Sequence, residues 1–299
     1  MTPSHTRIGW IGAGKMGLPI CLRFKAAGHA VQALARNEKA SATLEQAGLV
    51  PTHRISELCA NADIVFSSIS DDTALNDIVA GAGAIAATLA AGKTYIDIST
   101  VSPAASRMAA VRLAEAGIAY LRSPVSGSTA MAGAGTLTAI VSGPQKTFEE
   151  LQPFFAHFAR TCFHVGEAEE ARWMKLALNS MVAATSALLA EALSFGAKGG
   201  LDIATLLKVV NQSVVASPLI AYKTDMMVKG DYTPAATLAM LQKDIELFLS
   251  TGTAAHLDMQ IGALVQRIYH DAAARGLGGQ DFFVLVQDAL QRTGASAPA

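Results

Sequence analysis

Short apolar runs alternate with helical spacing through the first half of the chain, and helical spacing alone continues through the second. Arg7 to Ile11 is an apolar run that meets a glycine turn and then a helical pattern reaching Ala27. Ala30 to Ala35, Ala62 to Ile69, Thr94 to Ile98, Ile118 to Leu121, Thr138 to Ser142 and Thr161 to Val165 read as further strands. Ala80 to Ala91 and Phe148 to Ala159 read as connecting helices. Such alternation predicts an α/β fold with a Rossmann-type, doubly wound, mainly parallel sheet.

From Glu169 to Lys198 there is no proline and few β-branched residues, and Gly199-Gly200 closes the segment. Helix propensity is high throughout, and glycines at the end stop a helix by taking positive φ. At 1.5 Å per residue this helix runs roughly 45 Å, which suits an element joining two domains. Beyond it, Ile203 to Ser213, Ser217 to Val228, Ala236 to Thr251, Met259 to Arg275 and Gln280 to Thr293 are all helical. The expected organisation is a nucleotide-binding domain over 1–167 and an all-helical domain for substrate and oligomerisation over 168–299. No internal repeat is visible, and the tail from Gly294 to Ala299 is small and polar enough to be disordered.

After Met174 the long helix is apolar almost all round, which predicts burial. Lys175 and Asn179 interrupt it one turn apart and therefore share a face. A buried lysine must be paired, deprotonated or turned to a cleft, and the point where this helix leaves the first domain is a natural cleft. The plainer alternative is a solvated first turn with a snorkelling lysine.

Composition narrows the partners. The 299 residues are 51% apolar with a net charge of −1, so there is no basic surplus for nucleic acid and no polybasic run for anionic lipid. A small molecule is the expected partner. Three cysteines without a CxxC pair suit a reduced, cytoplasmic chain, and seven histidines without ligand-like spacing predict no structural metal. The N-terminus lacks the features of a signal peptide. Leu176 to Leu189 is too short for a membrane span and carries Asn179, Ser180 and Ser186.

The strongest local signal is Gly12-Ala13-Gly14-Lys15-Met16-Gly17 between a strand and a helix. Gly12 permits the tight turn, Gly14 lets a pyrophosphate approach the backbone, and Gly17 lets helix pack on strand. At the end of the second strand, where an NAD site commonly carries Asp or Glu, stand Arg36 and Asn37. An arginine there suits a 2′-phosphate, so NADP is expected over NAD. Ser70 ends the next strand beside Asp71-Asp72, which read as a helix cap more readily than as a metal or acid/base pair. Asp97 to Pro103 ends another strand in hydroxyls and would line the same crevice. The run from Ser123 to Thr138, dense in glycine and serine, reads by spacing as a floppy loop, although its small residues could gather amides around a carboxylate. Lys243-Asp244 in an apolar helix reads as a surface pair.

Taken together, GAGKMG at Gly12 to Gly17, DISTVSP at Asp97 to Pro103, SPVSGS with GTLT at Ser123 to Thr138, and KLALN at Lys175 to Asn179 resemble the β-hydroxyacid dehydrogenase family. That family includes 3-hydroxyisobutyrate dehydrogenases, tartronate semialdehyde reductases and glyoxylate/succinic semialdehyde reductases, with 6-phosphogluconate dehydrogenase more distant. The resemblance covers essentially the whole chain. It implies Lys175 as the catalytic lysine and Asn179 as the residue that orients substrate. It implies a carboxylate held at Ser126, Gly127 and Ser128, Thr100 near the nicotinamide, and Lys243 approaching substrate or cofactor as the cleft closes. It also implies a short carboxylate or semialdehyde substrate and a homodimer or homotetramer. Four departures surround the substrate rather than the cofactor: Gly127-Ser128 stands for two glycines, Asn179-Ser180 for two asparagines, Arg122-Ser123 for an acidic residue and alanine, and Gly166-Glu167-Ala168-Glu169 for a glycine-rich approach to the lysine. The alternatives are imine reduction on the same scaffold, and a non-catalytic NADP-binding sensor or interaction protein.

Overall fold

The computed structural model describes residues 5–294, so part of the tail expected to be disordered, 295–299, lies outside the described residues. The elements in order are β1 (Arg7–Ile11), α1 (Gly17–Ala26), β2 (Ala30–Leu34), α2 (Glu38–Gln46), β3 (Val50–Thr52), α3 (Ile55–Asn61), β4 (Ile64–Ser67), α4 (Asp72–Ala80), α5 (Ile85–Thr88), β5 (Thr94–Asp97), α6 (Pro103–Glu115) and β6 (Ala119–Arg122). There follow β7 (Val125–Ser126), α7 (Thr129–Ala134), β8 (Leu137–Val141), α8 (Gln145–Phe155) and β9 (Ala159–His164). The remainder is helical: α9 (Glu170–Lys198), α10 (Ile203–Gln212), α11 (Pro218–Lys229), α12 (Leu238–Ala254), α13 (Gln260–Ala274) and α14 (Val284–Thr293), with a short 3₁₀ turn at Leu277–Gly279. The chain divides into two compact units, Met1–Lys175 and Leu176–Ala299, so the break falls inside α9.

In the first unit six parallel strands stand in the order β3-β2-β1-β4-β5-β6, the doubly wound arrangement whose carboxyl ends form ligand crevices. Period-two alternation explains how one sheet serves two cores. Trp10, Phe66, Ile96 and Leu121 point to one face, where they meet Phe24, Phe155 and Phe158. Ile11, Val65, Tyr95 and Tyr120 point to the other, against Leu58, Leu75 and Leu113. Trp10 stacks on Phe66 across adjacent strands at 5.3 Å between ring centroids, and Tyr95 on Tyr120 at the same distance.

Four readings are corrected. The pattern gives no sign of β3, a three-residue edge strand containing Pro51, which is tolerated only because the edge needs no further donor. The helix expected over Ala80 to Ala91 is instead α4, a glycine break and α5. Gly83 at φ +74° supplies the left-handed backbone that ends the pattern. The last strands leave the main sheet: β7 pairs antiparallel and β9 parallel to β8 in a separate three-stranded sheet. Finally, Ser123 to Thr138 is not floppy, since it holds β7, α7 and a C-cap at Gly135.

In the second unit Ala183, Ala187, Ala190 and Leu193 of α9 pack with Leu207, Leu241, Ile245, Tyr269 and Phe283. By length and composition α9 could cross a bilayer, but this face lies in the helical core. The expectation that α9 is buried all round fails on the opposite face, where Met181, Leu188 and Phe195 are 65%, 71% and 83% exposed.

At the base of the first unit His29 and His157 approach within 3.2 Å between Nε2 atoms. Burial lowers both pKa values, and the pair's mutual repulsion adds to it for His157, with His5 near His29 and Arg23 near His157. Both are therefore neutral in the fold at a pH where an unfolded histidine begins to protonate. Stability is expected to be intact above about pH 6.5 and to fall as pH drops below it toward the lowered folded values. Thermal melts from about pH 7 to about pH 5 on wild type and on His29→Asn/His157→Asn check this. A slope as steep in the variant as in wild type sinks the assignment.

Candidate active site

The glycine loop is built by contacts that a side chain would destroy. Gly12 sits at φ +87°, and a Cβ there would lie 2.1 Å from the Ser68 carbonyl oxygen. At Gly17 a Cβ would lie 2.4 Å from the Gly12 carbonyl and 2.5 Å from the Trp10 indole nitrogen. Gly14 is different, because nothing stands within 4 Å of its would-be Cβ. The first two glycines serve packing; the open side of Gly14 leaves the backbone approachable. Met16, the N-cap of α1, supplies no side-chain acceptor to the helix's first amides, and α1 has no acidic residue in its first turn. Those donors and the helix dipole suit a phosphate. Ala13, Gly14 and exposed Lys15 border an open, mostly apolar groove that continues along α1 past Leu18 and Leu22. A dinucleotide's pyrophosphate fits this loop.

Arg36 is exposed at the end of β2. Its neighbour Asn37 caps α2 by accepting from the Ala40 amide at 2.9 Å, so its carbonyl oxygen is already engaged. Asp71 caps α4 through the Ala74 amide, as expected, and the Ser70 hydroxyl donates to its other oxygen at 2.7 Å. Thr100 is partly exposed just past β5. Asp97, expected to line the crevice, is instead wholly buried. It accepts from the Ser67 and Ser99 hydroxyls at 2.6 Å each and from Arg172 at 2.5 Å.

Ser126 pairs with Thr138 in the second sheet, Gly127 takes φ +136°, and Ser128 caps α7 through the Met131 amide. A side chain at 127 would also press on Leu137. Glycine is thus required by backbone and by space.

Lys175 is partly exposed on α9, and the unbroken helix sets Asn179 one turn further on. The Asn179 amide donates to Asp244 at 2.6 Å, while the other Asp244 oxygen pairs with Lys243 at 2.8 Å. Asp244 is 7% exposed, so Lys243-Asp244 is no surface pair. One carboxylate ties together two motif residues that lie 64 positions apart.

Sequence reasoning missed a cluster of four buried charges. Arg172 pairs with Asp97, and Arg122 with Glu169 at 2.5 Å. The departures at Arg122 and Glu169 pair with one another: the guanidinium donates twice to Glu169 Oε1, while Oε2 is buried without a hydrogen-bond partner. An arginine and an acidic residue replacing small or opposite-signed positions together was the available signal.

The model of the NAD-binding domain of 6-phosphogluconate dehydrogenase matches residues 7–166, and that of the NAD-binding domain of NADP-dependent 3-hydroxyisobutyrate dehydrogenase matches 170–288. The chain belongs to the β-hydroxyacid dehydrogenase family. Among relatives, 2-(hydroxymethyl)glutarate dehydrogenase of Eubacterium barkeri is 30% identical, the match covering 97% of both chains. The chloroplastic glyoxylate/succinic semialdehyde reductase 2 of Arabidopsis thaliana is 29% identical over 94% of this chain and 78% of its own. A solved structure of Psf3 with NADP+ and 2-OPP superposes with a TM-score of 0.85 at 25% identity, covering 94% of this chain and 99% of that one. As a β-hydroxyacid dehydrogenase, the protein is an NAD(P)-dependent oxidoreductase of the hydroxyacid class.

Proposed function

We propose that this protein prefers NADP and transfers a hydride between nicotinamide and a short 3-hydroxy acid or its semialdehyde, with Lys175 as general acid and base. The observation that carries the reading is the Asn179–Asp244–Lys243 cluster, in which residues from separate motifs meet as a common site requires.

The glycine loop, Gly12 to Gly17, holds the pyrophosphate, with Arg36, Asn37 and Ser70 toward the adenosine half and Thr100 and Lys243 toward the nicotinamide. When bound, the nicotinamide supplies or accepts the hydride. Ser126, Gly127 and Ser128 hold the substrate carboxylate. In the reducing direction negative charge grows on the carbonyl oxygen; the Lys175 ammonium stabilises it and delivers the proton. In the oxidising direction the neutral amine takes the hydroxyl proton, which a site closed to water favours. Because a carboxylate only accepts, the Asn179 amide group faces Asp244. Its carbonyl oxygen is left for a donor, such as the substrate hydroxyl.

NADP preference is supported by Arg36 and by the NADP+ bound in the Psf3 structure. Following NADPH and NADH absorbance with a panel of semialdehydes, glyoxylate and cyclic imines tests substrate and cofactor together. Arg36→Ser is expected to weaken NADPH about tenfold or more and NADH little, as loss of a charged hydrogen bond implies. Equal use of the two cofactors by wild type, or turnover of imines alone, rejects the proposal.

A homodimer or homotetramer in the cytoplasm completes the reading. The three free thiols suit a reducing compartment. Met181, Leu188 and Phe195 recur every seven residues on the exposed face of α9, a stripe suited to helix pairing. Leu188→Glu/Phe195→Glu is expected to lower the sedimenting mass to that of one chain; a monomeric wild type contradicts the idea.

A further inference from the structure

Asp97 and Arg122 end adjacent parallel strands and are direct register partners, so opposite charges stand side by side at the sheet's carboxyl edge. The entry to α9 presents the complementary order: Glu169, immediately before the helix, meets Arg122, and Arg172 in its first turn meets Asp97. Helical i, i+3 spacing of roughly 5 Å matches the strand separation. All four residues are 6% exposed or less. Sliding the first turn of α9 by one strand would set like charge against like.

Such a cluster is a poor source of stability, because apolar residues of the same volume do as well or better. What it provides is one register. Arg172 shows the point in detail: Nε donates to the Ser106 hydroxyl at 3.2 Å, Nη1 to the Ser99 carbonyl at 2.7 Å, and Nη2 to Asp97 at 2.5 Å and to the Tyr120 hydroxyl at 2.8 Å. Burial by itself works against the charged guanidinium, but Tyr120 and Asp97 more than reverse this and keep it charged. Ser99 is the residue before Thr100, and Lys175 is one helical turn beyond Arg172.

We propose that Arg172, fixed by Asp97, is a positioning residue for hydride transfer: one guanidinium holds both the strand end that carries Thr100 and the helical turn that carries Lys175. The proposal rests on Lys175 being the acid/base. A displacement of about 1 Å in such a group can cost about a hundredfold in rate, so the expected signature is lost turnover without lost cofactor binding.

The test uses the full-length chain with NADPH. Asp97→Asn/Arg172→Gln removes the charge pair together and leaves no isolated buried charge. It is expected to fold, to bind NADPH within about twofold of wild type, and to lose between ten- and a hundredfold in kcat with little change in KM. Arg172→Lys keeps the charge but cannot reach Ser99 and Asp97 at once, so it is expected not to restore turnover. If the double variant does not fold, Tyr120→Phe and Ser106→Ala each remove one contact of Arg172 and are expected to lower kcat several-fold with NADPH binding intact. Wild-type kcat in the folded double variant, or in both single variants, overturns the proposal, as does a kcat loss matched by equal loss of NADPH affinity. Lys175→Ala separates the two readings. If it abolishes turnover while these variants do not, only the positioning role falls.

Discussion

Replacing Lys175 with alanine is expected to lower turnover by about 10² to 10⁴, the usual contribution of a positioned general acid/base. The site loses both the cation facing the developing oxyanion and the proton that follows. Both directions must fall together, because the substitution does not alter the overall equilibrium. Lys175→Arg is not expected to rescue, since a guanidinium does not give up its proton in proteins. NADPH affinity and melting temperature should change little, the residue being partly exposed on a helix otherwise rich in good formers. Single-turnover measurement of NADPH oxidation checks this. A folded Lys175→Ala protein with undiminished rate would falsify the proposed chemistry.

The largest loss of stability is expected at Asp281. Its carboxylate is wholly buried, takes the Lys223 ammonium at 2.5 Å and accepts the Phe283 amide at 3.1 Å. Lys223 is 3% exposed and lies 5.0 Å from the centroid of the Phe282 ring and 5.2 Å from that of Tyr222. Asp281→Ala leaves the ammonium among aromatic rings without its counter-charge, at a cost of about 3–5 kcal/mol. That is a large share of a typical total stability of about 5–15 kcal/mol. Lys223→Met/Asp281→Leu removes both charges and should recover most of the loss. Urea unfolding compares the three. A loss under about 1 kcal/mol in the single variant would mean that water reaches Lys223 after all.

How much of this was legible follows from which patterns are local. The strand, glycine turn and helix around Gly12 to Gly17 could be read because each glycine answers a constraint within a few residues. Asp71 read correctly as a cap for the same reason. The break between α4 and α5 was hidden because Ala80 to Ala91 is apolar enough to pass for one helix until the positive φ at Gly83 is known. Ser123 to Thr138 read as floppy because composition cannot show that Val125 and Ser126 find partners in β8. The exposed face of α9 was invisible as well, since apolar residues all round a helix look buried whether or not every side has a neighbour. Within the candidate site, the bond from Asn179 to Asp244 and the pairing of Arg122 with Glu169 are long-range facts. No spacing rule encodes them.

Lys175 closes the first compact unit and Leu176 opens the second, yet both lie within one uninterrupted helix. A chimera meant to graft this nucleotide-binding half onto another family member's helical half therefore has no neutral splice at that boundary. A junction there would rotate or restrain the lysine according to foreign packing further along the same rod. A junction beyond Lys198, at Gly199-Gly200, would keep the rod of single parentage together with the Asp97 and Arg122 that its first turn pairs with, and recombinants built that way should be the ones that retain turnover.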